Sequence, residues 1–404
     1  MSDNILVRSG ATPSLAFPVL IAASVCHFLN DLMQSLFTAT YPIFKTNYDL
    51  SFGKIGLLTL TYQLSASILQ PLIGLYTDSR PQPYSLPFGM GFSMAGILTL
   101  ASAPNYPVLL LGGMLLGIGS SIFHPETSRL ARTASGGRHG LGQSIFQVGG
   151  NLGSSLGPLC VAFVVLPGGQ SRLSWFAVVA LCGMVILTAL SRWYVRNGHS
   201  KPRVPRARTD ESHLSPKQVG GAIGILTALL LSKYFYIASF STFYIFYLIQ
   251  NFGTSEQTAQ ICLFVFYGAL AIGTLIGGPI GDRIGRKKVI WVSILGILPF
   301  SLVLPYASLP VTIVLSAVIG LILASAFSAI VVYGQELMPD RIGLISGLFF
   351  GLSFGLGGVG AAVLGVIADW TSVIFVYKIC AFLPLLGILT MFLPDTQPHK
   401  VATG

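Results

Sequence analysis

Charge is scarce in this chain. Asp, Glu, Lys and Arg make up 9% of its 404 residues, where an ordinary soluble domain carries about 25%. With 53% hydrophobic residues and a mean hydropathy of +0.75, a soluble fold would have too little polar surface to cover its core. That excludes an ordinary soluble domain. The five cysteines show no paired metal-ligand or extracellular spacing, so neither a zinc module nor a disulfide scaffold is expected. No GxxxxGK[ST] loop occurs, so ATP is not the expected energy source. The amino terminus has no short apolar core ending in a cleavage site, and an uncleaved first span is expected. Enzyme chemistry is the remote reading, and no cofactor is called for.

What the chain does have is apolar runs of about 20 residues, the length of a membrane-crossing helix. They fall at 17–41, 52–76, 86–104, 107–128, 142–166, 173–193, 219–249, 257–281, 289–307, 310–335, 342–368 and 373–394. The fold class is therefore an all-α membrane protein with 12 transmembrane helices. Two landmarks repeat about half a chain apart. Gly74-Leu-Tyr-Thr-Asp78 recurs as Gly278-Pro-Ile-Gly-Asp282, and Arg138-His-Gly-Leu141 recurs as Arg341-Ile-Gly-Leu344. A parallel repeat in a membrane chain is the plan of a transporter with two similar bundles and a site between them. The expected domains are an amino-terminal six-helix bundle over 1–193, a basic linker over 194–218 and a carboxy-terminal six-helix bundle over 219–404.

The charge of +10 is a topological signal. Arg8, Arg80, Arg129, Arg132, Arg138, the basic linker, Arg283, Arg286, Lys287, Lys288, Arg341 and Lys400 share one face, whereas the other holds Lys45, Lys54 and Arg172. This bias predicts cytoplasmic termini in a bacterial inner membrane. It makes the bilayer the partner, and no nucleic-acid partner is expected. Glycines cluster in the fifth span (Gly149, Gly150, Gly153, Gly157) and the eleventh (Gly347, Gly351, Gly355, Gly357, Gly358, Gly360). Two readings stand: close helix packing, or surfaces on which the halves slide.

An ionisable group near the bilayer centre costs about 2.5–3.5 kcal/mol on insertion scales, so such residues point to function. The first span carries His27, Asn30, Asp31 and Gln34 on one helical face. Burial favours the neutral form of Asp31 and suits it to proton uptake and release; the alternative is a permanent ion pair. Gln63, Ser67 and Gln70 in the second span, and Gln143, Gln147 and Asn151 in the fifth, form neutral polar stripes, either to meet an oxygen-rich solute or to hydrogen-bond between helices. In the fourth span Pro125 is expected to bend or end the helix. His124, Glu126 and Arg129 are placed there in the cytoplasmic third, either as a gate or proton exit or as a helix-end salt bridge. Lys233 lies mid-span with Tyr236 one turn away, and its expected partner is Asp31 or an anionic substrate. Glu336 is expected to pair with Arg341.

Gly278-Pro-Ile-Gly-Asp282-Arg283-Ile-Gly285-Arg286-Lys287 resembles the loop signature of the major facilitator superfamily, with Asp78 in a first copy that lacks the basic tail. The resemblance implies that the aspartates cap neighbouring helices and the arginines pair with acids to latch one state. Gating roles for Asp78, Asp282, Arg283, Arg286, Arg138 and Arg341 follow from it. Gly153-x-x-x-Gly157-Pro158 resembles the antiporter motif of drug exporters, although Val161-Ala162 stand where glycines are usual and Gly113 where an arginine is. His27-Phe-Leu-Asn-Asp31, Ser121-Ile-Phe-His-Pro-Glu126, Gln143-Ser-Ile-Phe-Gln-Val-Gly-Gly-Asn151 and Ser232-Lys-Tyr-Phe-Tyr236 are similar to the bacterial fosmidomycin-resistance exporters. This implies proton-driven antiport of a small polar anionic drug, in a protein expected to be monomeric. The proton-coupling set is Asp31, His27, His124 and Glu126. The substrate set is Lys233, Tyr236, Asn30, Gln34, Gln63, Gln143, Gln147 and Asn151. The alternatives are a proton-coupled transporter of an organic acid or sugar phosphate, and a membrane receptor of the same fold.

Overall fold

A computed structural model describes residues 15–80, 82–136, 139–197, 215–338 and 342–394. Arg138, Arg341 and most of the expected linker lie outside these residues, as do the side chains of Asp78, Gln143, Asp282 and Arg283. Every regular element among the described residues is helical. The amino-terminal half holds α1 (Phe17–Ala39), α2 (Phe52–Ser79), α3 (Ser85–Ala101), α4 (Tyr106–Ala134), α5 (His139–Cys160) and α6 (Ala177–Asn197). The carboxy-terminal half holds α7 (Pro216–Phe252), α8 (Glu256–Ile284), α9 (Arg286–Leu295 and Leu298–Val303), α10 (Leu309–Leu323 and Ala326–Leu337), α11 (Ile342–Trp370) and α12 (Val373–Cys380). The twelve rods follow the expected spans to within a few residues once the 3₁₀ segment Leu383–Phe392 that continues α12 is counted, apart from three helix ends. The fourth runs on to Ala134, the sixth reaches Asn197, and the seventh begins at Pro216. Part of the expected linker is thus helical. Ser215 and Gln218 close a reciprocal capping box around Pro216, which starts α7 early.

Proline does not break these helices. Pro71, Pro125 and Pro158 all lie inside them, as membrane helices allow when neighbours satisfy the freed backbone groups. At Pro158 the mechanism is visible. Its missing N–H leaves the Ser154 carbonyl free, and the Ser35 hydroxyl of α1 donates to that oxygen at 2.6 Å. Beyond it, α5 passes through a π-helical turn at Val161–Val165.

The two glycine clusters have different jobs. A Cβ on Gly149 would stand 2.0 Å from the Ser24 carbonyl, and one on Gly153 would stand 2.2 Å from that of Phe28. The fifth-span glycines therefore seat α5 on α1 within one half and form no sliding surface. In the eleventh span Gly351, Gly355, Gly357 and Gly358 face the other half, whereas a Cβ on Gly360 would stand 3.1 Å from the Phe235 ring of its own half. A Cβ on Gly365 would stand 2.4 Å from the Phe52 carbonyl, and one on Gly358 would stand 3.2 Å from the Leu60 Cα, both on α2. The halves meet along α2 with α11 and α5 with α8.

Away from the termini, the halves are sealed together. Phe52 packs edge-on against Phe246, with ring centroids 5.3 Å apart, and Gln260 Nε2 donates to the Ala39 carbonyl at 2.6 Å. The Asp369 carboxylate of α11 accepts from the backbone N–H groups of Phe52 and Gly53 at 2.6 and 2.7 Å. It thereby caps the first turn of α2 from across the interface, where unpaired amides and the helix dipole favour an anion. Elsewhere the surface is apolar, with Val185, Phe88 and Leu72 more than half exposed, as suits a chain surrounded by lipid.

Candidate functional site

Between the halves lies a cavity of about 290 Å³, lined from α1, α2, α4, α5, α7, α8, α10 and α11. The one-faced polar stripe of α1 supplies its acidic wall. His27 Nε2 stands 3.3 Å from Asp31 Oδ2, one helical turn away. His124 Nε2 stands 3.5 Å from Asp31 Oδ1 and 3.3 Å from His27 Nε2. His124 is therefore level with Asp31, which corrects its expected place in the cytoplasmic third. The expected span stops at 128, just past Pro125, whereas α4 continues to Ala134 and so sets His124 deeper.

The trio is braced from several sides. Asn30 Nδ2 donates to Asp31 Oδ1 at 3.1 Å and Gln34 Nε2 lies 3.5 Å from the same oxygen. The Tyr62 hydroxyl donates to Gln34 Oε1 in turn. The His27 ring stacks on Phe146 with centroids 3.9 Å apart. A Cβ on Gly150 would stand 2.5 Å from that ring and 2.7 Å from Asp31 Oδ2, so only glycine lets α5 pass behind the trio. Tyr62, Phe146 and Gly150 escaped the sequence reading. Gly150 had been read only as one of a packing cluster, and an aromatic mid-span looks like ordinary core.

Lys233 of α7 lines the opposite wall. Its Nζ lies 5.7 Å from the ring centroids of Tyr234 and of Phe327. Among the described residues no carboxylate comes within salt-bridge distance of it. The expected direct pair with Asp31 is not formed, because Asp31 is already engaged by the two histidines. Tyr236 does not line the cavity. It is buried beside Phe240, with ring centroids 5.6 Å apart, and its neighbour Tyr234 takes the cavity position.

Gln34, Gln63, Gln147 and Asn151 all line the cavity, while Asn30 is fully buried behind Asp31. Gln63 Oε1 is a buried acceptor with no protein partner among the described residues. Glu126 stands apart from the cavity wall. It pairs with Arg129 at 2.8 Å, and Arg129 also donates to the Thr77 carbonyl near the end of α2 at 3.0 Å. On the carboxy-terminal side, Arg286 Nε stands 3.7 Å from Glu336.

This arrangement can hold a small anion against Lys233 and a proton within the histidine–aspartate trio, in a chamber shared by two halves. Comparison with known proteins agrees with the architecture. The sequence pattern of the Major Facilitator Superfamily matches residues 23–249 and 226–404. The fosmidomycin resistance protein of Escherichia coli (strain K12) is 57% identical over 385 residues, spanning 95% of this chain and 94% of that one. The uncharacterized MFS-type transporter YfnC of Bacillus subtilis (strain 168) is 41% identical over 399 residues, spanning 98% and 97%. Among solved structures, a D-xylose-proton symporter superposes with a TM-score of 0.73 at 15% identity, covering 95% of this chain and 99% of that one. That last likeness concerns the fold alone. With its duplicated helical halves, its chamber between them and matches running nearly end to end, the chain belongs to the Major Facilitator Superfamily.

Proposed function

We propose that this transporter exports small polar anions, fosmidomycin among them, in exchange for protons, by alternating access from a bacterial inner membrane with both termini cytoplasmic. One observation carries the reading: a chamber between the halves with a buried acid–histidine trio on one wall and, on the other, a lysine with no carboxylate partner among the described residues. An isolated buried ammonium is costly, and a phosphonate or phosphate oxygen would offset that cost through a charge-assisted hydrogen bond. The name of the 57% identical relative supports the choice of drug. The unpartnered Gln63 oxygen favours a solute that also carries an N–H or O–H donor.

Had Asp31 paired with Lys233, an arriving anion would have displaced it and promoted protonation in the same state, which is the logic of symport. The separation of Asp31 from Lys233 removes that direct exchange and leaves antiport open. The loop from Asp282 to Arg286 is assigned to switching, so Asp282→Asn slows turnover for every substrate alike. The reading as a whole is tested by fosmidomycin accumulation in cells with and without the gene, each with and without an uncoupler. Export that the gene confers and the uncoupler abolishes supports it; gene-independent accumulation refutes it. Proton flux in everted vesicles on adding fosmidomycin separates antiport from symport.

A further inference from the structure

Each histidine of the trio turns its Nδ1 to a backbone carbonyl: His27 to Phe146 at 2.8 Å and His124 to Ser120 at 2.9 Å. A carbonyl oxygen only accepts, so hydrogen is assigned to both Nδ1 atoms, and the Ser120 hydroxyl, 3.1 Å from His124 Nδ1, takes the accepting role there. In the neutral rings both Nε2 atoms are then bare acceptors. They face one another at 3.3 Å, and each faces one oxygen of Asp31 at 3.3 or 3.5 Å. Three acceptors converge with no donor between them until a proton is added. A proton on either Nε2 turns that repulsive contact into a charge-assisted hydrogen bond to Asp31.

The two rings differ in what else they touch. His27 is 3% exposed and its ring contacts are Phe123, His124 and Phe146, all in its own half. His124 is 17% exposed and meets Phe354 of α11, in the other half, with centroids 5.9 Å apart. The charged or titratable groups around the same chamber are Asp31 and His27 from α1, Tyr62 from α2, Lys233 and Tyr234 from α7, and Tyr267 from α8. α5, α10 and α11 present only neutral groups there, and Glu126 of α4 itself is held by Arg129.

We propose that His124 is the residue through which the carboxy-terminal half senses the coupling proton. Charge on His124 strengthens its contact with the Phe354 ring, as a cation does at an aromatic partner, and so favours the arrangement sealed at the end away from the termini. The proton thereby selects one facing state without competing for Lys233. Exchange then requires that substrate binding favour the opposite state. This deepens the antiport reading and rests on it.

The test places a cysteine at the interface beside the distal seal, Thr242→Cys, where the buried Thr242 hydroxyl of α7 lies 3.4 Å from that of Thr59 of α2, in a background free of the native cysteines and in protein reconstituted in nanodiscs. The rate of labelling by a water-soluble maleimide, normalised to its rate with a free thiol at each pH, reports how often that seal opens. Lowering the pH from about 8 to about 5, the window in which histidine charges, should slow normalised labelling roughly tenfold. Both His124→Gln and Phe354→Leu should flatten that dependence and cut uncoupler-sensitive fosmidomycin export in vesicles at least about tenfold. Phe354→Leu leaves the trio intact, so it decides the matter if His124→Gln folds poorly. A pH dependence kept in Phe354→Leu, or absent from the parent, overturns the inference. So does one equivalent of transition metal copurifying with the protein, because it would fill the space between the acceptors. If the parent shows no uncoupler-sensitive export at all, it is the antiport reading that fails.

Discussion

The two halves share one scaffold and divide the chemistry. The wall from the amino-terminal half gathers His27, Asp31 and His124 within 3.5 Å of one another, braced by neutral amides. The wall from the carboxy-terminal half offers Lys233 between two aromatic rings. After duplication a scaffold can keep its packing rules, because any helix of the right length and smallness will serve. Its buried charges cannot be kept on both sides without paying their desolvation twice. On the proposed function, this difference assigns proton handling to one half and anion holding to the other, so that moving the halves would move the two ligands' sites relative to each other.

Removing the acid should break this comparison most severely. Asp31→Asn leaves the histidines without their counter-charge, and proton-driven export should fall by about two orders of magnitude while the protein still reaches the membrane. Undiminished proton-driven transport by that variant would take Asp31 out of the mechanism. Next in size is Gly150→Ala, whose methyl would collide with His27 and Asp31. Overpacking of this kind costs about 1–3 kcal/mol. Thermal unfolding in detergent should show the loss, with coupling reduced in parallel. The matching control is Gly224→Ala in α7, where a Cβ meets nothing within 4 Å. There a small gain of about 0.5–1 kcal/mol is expected.

On the other wall, Lys233→Gln should weaken binding of an anionic substrate by roughly tenfold to a hundredfold, and that of a neutral analogue much less. Isothermal titration with the pair decides it, since equal losses would make Lys233 a structural residue. The smallest effect is expected at the seal. Asp369→Asn keeps an acceptor but removes the charge from the α2 amides, a change of about 0.3–1 kcal/mol. Maleimide labelling at Thr242→Cys should speed up by no more than about fivefold.

The architecture was legible because span length, positive-inside bias and internal repetition are each written in composition. The α1 stripe was legible too, since a polar face three and four residues apart has no reason to exist in lipid. Three features were hidden for physical reasons. His124 was misplaced in depth because a proline suggests a bend or an end and the span is drawn to stop at 128, whereas a membrane helix with packed neighbours runs on to Ala134. Tyr234 and Tyr236 are equivalent in sequence; the tilted contact of Tyr236 with Phe240 keeps Tyr236 inside its own half. The Asp369 cap joins α11 to the start of α2 across more than three hundred positions, and no local pattern announces such a partner.

That cap also has an electrical meaning. A membrane potential falls across whatever layer excludes water and mobile ions, and here that layer is the distal plug of Phe52, Phe246 and the Asp369-bound turn. The chamber beneath it lies on the other side of the insulator. On the proposed function, a proton passing between the distal solution and the trio would cross that drop, worth about 2.3 kcal/mol per 100 mV. The seal would then serve as a dielectric as well as a gate, and the voltage across it would itself drive the exchange.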